Sequence, residues 1–136
     1  MTEAAEYHPG RTYPRHILAI DDDPVLRELL AHHLEMPGCS VAVDEGGEDV
    51  LGRIGNDHDV MVLDLEMPGM TGFDILQALG KRHGIRPLPV IVLTSRTDAE
   101  AIAAAFESGA AAYALKPVNW PALRAKISAV FMSLDR

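Results

Sequence analysis

Four short apolar runs in this chain end in residues able to do chemistry. HILAI at 16–20 is followed by Asp21-Asp22-Asp23-Pro24, and VMVL at 60–63 by Asp64. PVIVL at 89–93 leads to Thr94 and Ser95, and AAYAL at 111–115 to Lys116-Pro117. Carboxylates gathered at one point repel one another unless a cation joins them. Hard oxygen ligands of this kind suit Mg²⁺, which keeps several waters and often completes its octahedron with phosphate oxygens. A lysine and a threonine aimed at the same place complement a dianionic phosphoryl group. The combination predicts a phosphate site with a divalent metal, provided that the runs end at one place.

That proviso is a statement about fold. The four runs, with CSVAV at 39–43, have strand length, and 60–63 and 90–93 are almost uninterrupted, as strands buried on both faces are. Helical spacing fills the gaps. Leu26, Leu29, Leu30 and Leu34 form a stripe in 24–36, ended by Pro37-Gly38. Phe73, Leu76 and Leu79 do the same in 73–83, stopped by Gly84. Segment 97–108 is alanine-rich and closed by Gly109; 119–134 carries Leu123, Ile127, Val130 and Leu134, with Asn119 as cap. A helix at 46–55 is the weakest of the set, because Gly46, Gly47 and Gly52 disfavour it. Alternating strands and helices predict a parallel sheet covered on both faces. Right-handed crossovers bring every strand C-terminus to one edge, where such sheets bind ligands.

Taken singly, each residue has a plain structural explanation. Asp23 reads as a helix cap. Asp21 and Asp22 fit a turn, Asp64 a turn former before Pro68-Gly69, Thr94 and Ser95 a cap for the helix near 97, and Lys116 a solvated cation. Their coincidence at four strand ends favours the joint reading. Asp44 and Glu45, after the second strand, have no evident chemistry. His32 and His33 read as a solvated helix face, and the alanine run 101–105 as good helix former before docking surface.

Bulk composition narrows the class. A chain of 136 residues suits one domain with its own core: a tail over 1–15, then a domain over 16–136. Twenty acids against 12 Lys and Arg give a net charge of −8, which argues against direct nucleic-acid binding. Cys39 is the single cysteine, so no intramolecular disulfide is possible, and a buried packing role is expected. No apolar run approaches the roughly 20 residues needed to span a bilayer, and the N-terminus lacks a secretory core. A cytoplasmic protein without membrane contact is expected.

Together the pieces ILAIDDDP, VMVLDLEMPGMTG, VIVLTS and AAYALKP resemble the receiver domain of two-component response regulators, over about residues 15 to 136. The resemblance implies a three-layer, doubly wound (βα)5 flavodoxin-like α/β fold with strand order 2-1-3-4-5. It implies that Asp64 is the phosphoacceptor, and that Asp22 and Asp64 ligate Mg²⁺ (or Mn²⁺) directly. Asp21 would act largely through water, and the backbone carbonyl of Glu66 would be a further ligand. Lys116 would pair first with Asp64 and then with the phosphoryl group; Thr94 would swing toward that group and Tyr113 follow it. Pro117 suggests a cis peptide bond after Lys116. Glu66 and Arg96 stand where the family tunes phosphate lifetime; they either pair across the site mouth or are two unrelated exposed charges.

The implied partners are a sensor histidine kinase or a histidine phosphotransfer protein. A downstream protein would bind the face of helix 97–108, Tyr113 and helix 119–134, and a homodimer on phosphorylation is a further expectation. The role is a signalling phosphoacceptor rather than an enzyme. The initial Met and the absence of an output domain suit a stand-alone regulator or phosphorelay intermediate; an excised receiver of a larger kinase or transcription factor is the alternative. A rival of another class is a haloacid-dehalogenase-like phosphatase with Asp21 as nucleophile, since Asp21-Asp22-Asp23-Pro24-Val25 fits its DxDx[TV] motif. It leaves Asp64 without a role. A structural adaptor that is never phosphorylated would have no use for the set Asp22, Asp64, Thr94 and Lys116.

Overall fold

A computed structural model of the chain describes residues 15–55, 57–82 and 88–134. The expected tail over 1–14 and the helix stop at Gly84 lie outside them. Arg15, expected to close the tail, instead opens the first strand. The strands are β1 (Arg15–Ile20), β2 (Cys39–Asp44), β3 (Val60–Leu63), β4 (Val90–Thr94) and β5 (Ala112–Leu115). The helices are α1 (Pro24–Leu34), α2 (Gly72–Gly80), α3 (Ala99–Glu107) and α4 (Trp120–Leu134).

The strands form one sheet in the order β2-β1-β3-β4-β5, and all pairs are parallel. Side chains alternate between the faces of a strand, so each apolar run feeds two cores. Ile17, Ala19, Val60, Val62, Ile91 and Leu93 pack with Leu30 and Leu34 of α1 and Leu123, Ile127 and Phe131 of α4. Leu18, Ile20, Met61, Leu63, Val90 and Val92 pack with Ile75 and Leu76 of α2 and Ala105 of α3. This is the three-layer architecture expected from the alternation. In register, Ile20 lies level with Asp44 and Leu63, and Thr94 with Leu115. One edge therefore collects the residues that follow β1, β3 and β5, with Thr94 closing β4.

Helix starts are fixed by side-chain caps. Asp23 accepts from the amides of Val25 and Leu26 (3.0 and 3.4 Å), and Asn119 from that of Ala122 (3.0 Å). Thr71 and Asp74 form a reciprocal capping box for α2. Helix α3 begins at Ala99 rather than 97, because Asp98, not Thr94 or Ser95, supplies its cap through the Ala101 amide (3.1 Å).

The helix expected at 46–55 is absent; a single 3-10 turn, Val50–Arg53, stands in its place. Gly46 and Gly47 have φ of 85° and 97°, a left-handed backbone that cannot continue a right-handed helix. Side chains satisfy the groups a helix would have used. Arg53 forks onto Asp44 (2.7 and 2.9 Å) and donates to the Gly46 carbonyl (2.9 Å). Arg82, beyond α2, donates to the carbonyls of Leu51 (2.8 Å) and Ile54 (2.9 Å). Among the described residues no helix is long and apolar enough to cross a membrane.

Candidate functional site

At the carboxyl edge, the buried strands deliver Asp21 and Asp64, 1% and 5% exposed, and Thr94, fully buried. Asp22 joins them from the exposed side, and one oxygen from each of the three aspartates lies within 4.8 Å of the others. Into this group reaches Lys116, whose Nζ is 2.9 Å from Asp21 Oδ2 and 3.3 Å from Asp64 Oδ2. The lysine thus sits nearer to Asp21, whereas the resemblance implied Asp64 as its first partner. The Lys116–Pro117 peptide bond is cis.

Backbone donors orient both buried acids. Asp21 Oδ1 accepts from the Asp23 amide (2.9 Å), and Asp64 Oδ1 from the Glu66 amide (3.2 Å). Burial pushes the Asp64 carboxyl above its ordinary value, with Asp21 adding to the rise; the Glu66 amide and Lys116 oppose it without cancelling it. For Lys116, burial works against the charge, but Asp21 and Asp64 outweigh it and hold the ammonium above its ordinary value. The pocket is thus short of positive charge: one lysine faces two buried carboxylates. Three hard oxygen donors within reach of one point fit a small divalent cation, which supplies that missing charge.

The β4 end is tied to β5 through Arg96. Its amide donates to Thr94 Oγ1 (3.4 Å), and its carbonyl accepts from the Tyr113 hydroxyl (3.0 Å). Its guanidinium forks onto Asp98, while Glu66 Oε2 stands 3.9 Å from Nε. Of the two sequence readings, a pair across the mouth or unrelated charges, the geometry gives an intermediate: near neighbours, with Arg96 engaged by Asp98.

Three residues escaped the sequence reading. Arg27, on α1, donates to the carbonyl of Asp21 (2.9 Å) and so holds the β1 end. Gly72 lets α2 start against the acceptor strand: a Cβ there would lie 2.3 Å from the Asp64 carbonyl oxygen and 2.6 Å from Leu65 Cα. Asp98 carries both cap and fork. A signal existed for Gly72 in its place beside the capping Thr71, and for Asp98 as a favoured capping residue just before the alanine-rich run; nothing in the sequence marks Arg27. Asp21, the nucleophile of the phosphatase alternative, gives one oxygen to the Asp23 amide and the other to Lys116, much as Asp64 does with the Glu66 amide and Lys116.

Fold and site together define a doubly wound α/β domain with an acidic, lysine-bearing pocket at the carboxyl edge of its sheet. The chain belongs to the response regulator receiver domain family, whose model matches residues 17–128. It is 40% identical over 114 residues to the transcriptional regulatory protein CpxR of Escherichia coli K12, covering 84% of this chain and 48% of that protein. It is 38% identical over 114 residues to the sensory/regulatory protein RpfC of Xanthomonas campestris, covering 82% of this chain and 16% of that one. The chain thus spans half or less of these relatives. The Francisella response regulator 1452 receiver domain superimposes with a TM-score of 0.79 at 27% identity, over 88% of this chain and 98% of that structure.

Proposed function

We propose that this receiver domain accepts a phosphoryl group on Asp64 from a phosphohistidine of a partner kinase or phosphotransfer protein. The observation that carries the reading is the buried Asp64 carboxylate with Lys116 Nζ at 3.3 Å and Asp21 and Asp22 beside it. Asp64 has an oxygen free of backbone donors to act as nucleophile. That oxygen bonds to phosphorus as the P–N bond breaks, and the electron pair leaves with the imidazole, which is then protonated. Such a transfer asks for positioning and charge neutralisation more than for acid–base chemistry.

Asp21, Asp22, Asp64 and the Glu66 carbonyl would hold Mg²⁺ or Mn²⁺, with Asp21 partly through water. The bound ion supplies charge neutralisation at the phosphoryl oxygens. Lys116, beside both buried acids, adds a further positive charge there. The product adds a dianion to a buried edge and needs new donors; the Thr94 hydroxyl turns inward and Tyr113 follows. The surface of α3, Tyr113 and α4 then becomes the face read by a downstream protein or a second copy. A cytoplasmic setting fits this role.

The test is incubation with a small acyl phosphate and Mg²⁺, then with phosphorylated kinases of the source organism. Acid-labile, base-labile label on Asp64, lost in Asp64→Ala and without divalent cation, is expected. Label that persists in Asp64→Ala, or that maps to Asp21, refutes the assignment.

A further inference from the structure

We infer that Asp98 is a positioning residue for the acceptor site: it sequesters the Arg96 guanidinium and thereby keeps the mouth above Asp64 open to water. This rests on the phosphoacceptor role proposed for Asp64. The fork is complete, with Arg96 Nε and one terminal nitrogen donating to the two Asp98 oxygens at 3.1 and 2.9 Å. One of those oxygens also accepts the Ala101 amide (3.1 Å), so the aspartate is anchored to the first turn of α3 and cannot follow the arginine elsewhere.

The rival for the same cation is Glu66. Its nearest approach, 3.9 Å, is to Nε, the nitrogen already given to Asp98. Asp98 thus holds the arginine nitrogen that lies nearest Glu66. Glu66 is the residue whose amide binds Asp64 Oδ1, so its backbone borders the acceptor, and its side chain is 55% exposed. With Asp98 removed, Arg96 and Glu66 are free to close into a pair across that mouth. The same arginine's main chain bridges Thr94 Oγ1 and the Tyr113 hydroxyl, which couples any movement of its side chain to the proposed switch.

Hydrolysis of an aspartyl phosphate needs a water to attack phosphorus in line. A P–O bond to water forms as the bond to Asp64 breaks, the carboxylate leaves with the electron pair, and the proton passes to solvent. An Arg96–Glu66 bridge restricts that approach. All three side chains are partly solvated (34% for Arg96, 48% for Asp98, 55% for Glu66), so the effect is modest, about two- to fivefold in rate.

The experiment follows decay of label on Asp64 after removal of acetyl phosphate, in Mg²⁺, for the wild type, Asp98→Ser, Arg96→Ala and the double variant. Serine keeps a capping oxygen for α3 and loses the fork. Slower decay in Asp98→Ser, with no effect of the same change in the Arg96→Ala background, is expected. Equal decay in wild type and Asp98→Ser overturns the proposal. So does an equal factor in both backgrounds, which marks an effect through α3 alone. Independently of phosphorylation, the Arg96 Nε–H signal in the NMR spectrum of the wild type exchanges slowly with water and in Asp98→Ser does not. Fast exchange in both overturns the fork while leaving the acceptor role standing, whereas absence of label on wild-type Asp64 overturns both.

Discussion

Replacing Lys116 by methionine keeps a stem of similar length and removes the ammonium that faces Asp21 and Asp64. At an effective dielectric of about 20, each of these contacts carries about 5 kcal/mol of gross attraction. Most of it is offset by taking the lysine and the acids out of water, and the lysine side chain is still 23% exposed. Removing one partner of such a cluster leaves buried charge uncompensated, and a net loss of about 2–3 kcal/mol at pH 7 without divalent cation is expected. In urea the unfolding midpoint falls by about 1–2 M at unchanged slope.

The pH dependence gives the sharper test. Asp64 already titrates above its ordinary value because burial disfavours its charge, and loss of Lys116 raises it further. Burying the charged form costs stability above the folded pKa, and that cost disappears as pH falls through it and the carboxyl protonates. The gap between wild type and variant is therefore full at neutral pH and narrows toward acid. In alkali the sign is that of a raised cation: the stabilisation by Lys116 is complete below the ordinary lysine pKa and is lost as pH rises through the folded one. Millimolar Mg²⁺ restores the variant more than it stabilises the wild type, since a cation relieves the same two acids. A gap that stays constant from neutrality down to the ordinary aspartate pKa of about 3.9, or no gap at pH 7, would refute the uncompensated-carboxylate argument.

Gly72→Ala forces a methyl into backbone at 2.3 Å, so α2 and the Asp64 strand must part by about 1 Å. A loss of about 1–3 kcal/mol in urea denaturation is expected, with weakened labelling of Asp64. Gly80→Ala, where a Cβ meets nothing within 4 Å, is the control and leaves both unchanged or slightly raises stability. Arg53→Gln removes the side-chain hydrogen bond that holds the Asp44 carboxyl below its ordinary value. The stability so lost is present above the unfolded Asp pKa of about 3.9 and vanishes as pH falls through the folded one, so thermal melts of the two proteins converge only in strong acid. Tyr113→Phe deletes the 3.0 Å bond to the Arg96 carbonyl, for an expected loss of about 1 kcal/mol and faster amide exchange around residues 96–98.

The sheet was legible because parallel strands buried on both faces leave unbroken apolar runs, and right-handed crossovers then fix which ends meet. Asp21, Asp64, Thr94 and Lys116 could be placed on one edge from this alone. Pairing preferences within that edge could not. That Lys116 lies nearer to Asp21 depends on distances of a few tenths of an ångström, which no spacing encodes. The segment 46–55 was misjudged because apolar spacing was weighed against three glycines, and the glycines prevailed with help from Arg53, within the segment, and Arg82, from beyond α2. Asp98 was passed over because Thr94 and Ser95, at the strand end, were also capping residues and the helix start was placed near 97. For Gly72 its place beside Thr71 was visible, but the close approach to the Asp64 strand that requires it has no periodicity.

The lysine and Asp21 that meet at 2.9 Å are separated by 95 positions in the chain. Such a contact has a large loop-closure cost and forms only when the first and last strands have both joined the sheet. A stretch of the chain ending before β5 therefore carries Asp21, Asp22 and Asp64 without the lysine that faces them, so the acids of the first and third strands are balanced only once the last strand has docked.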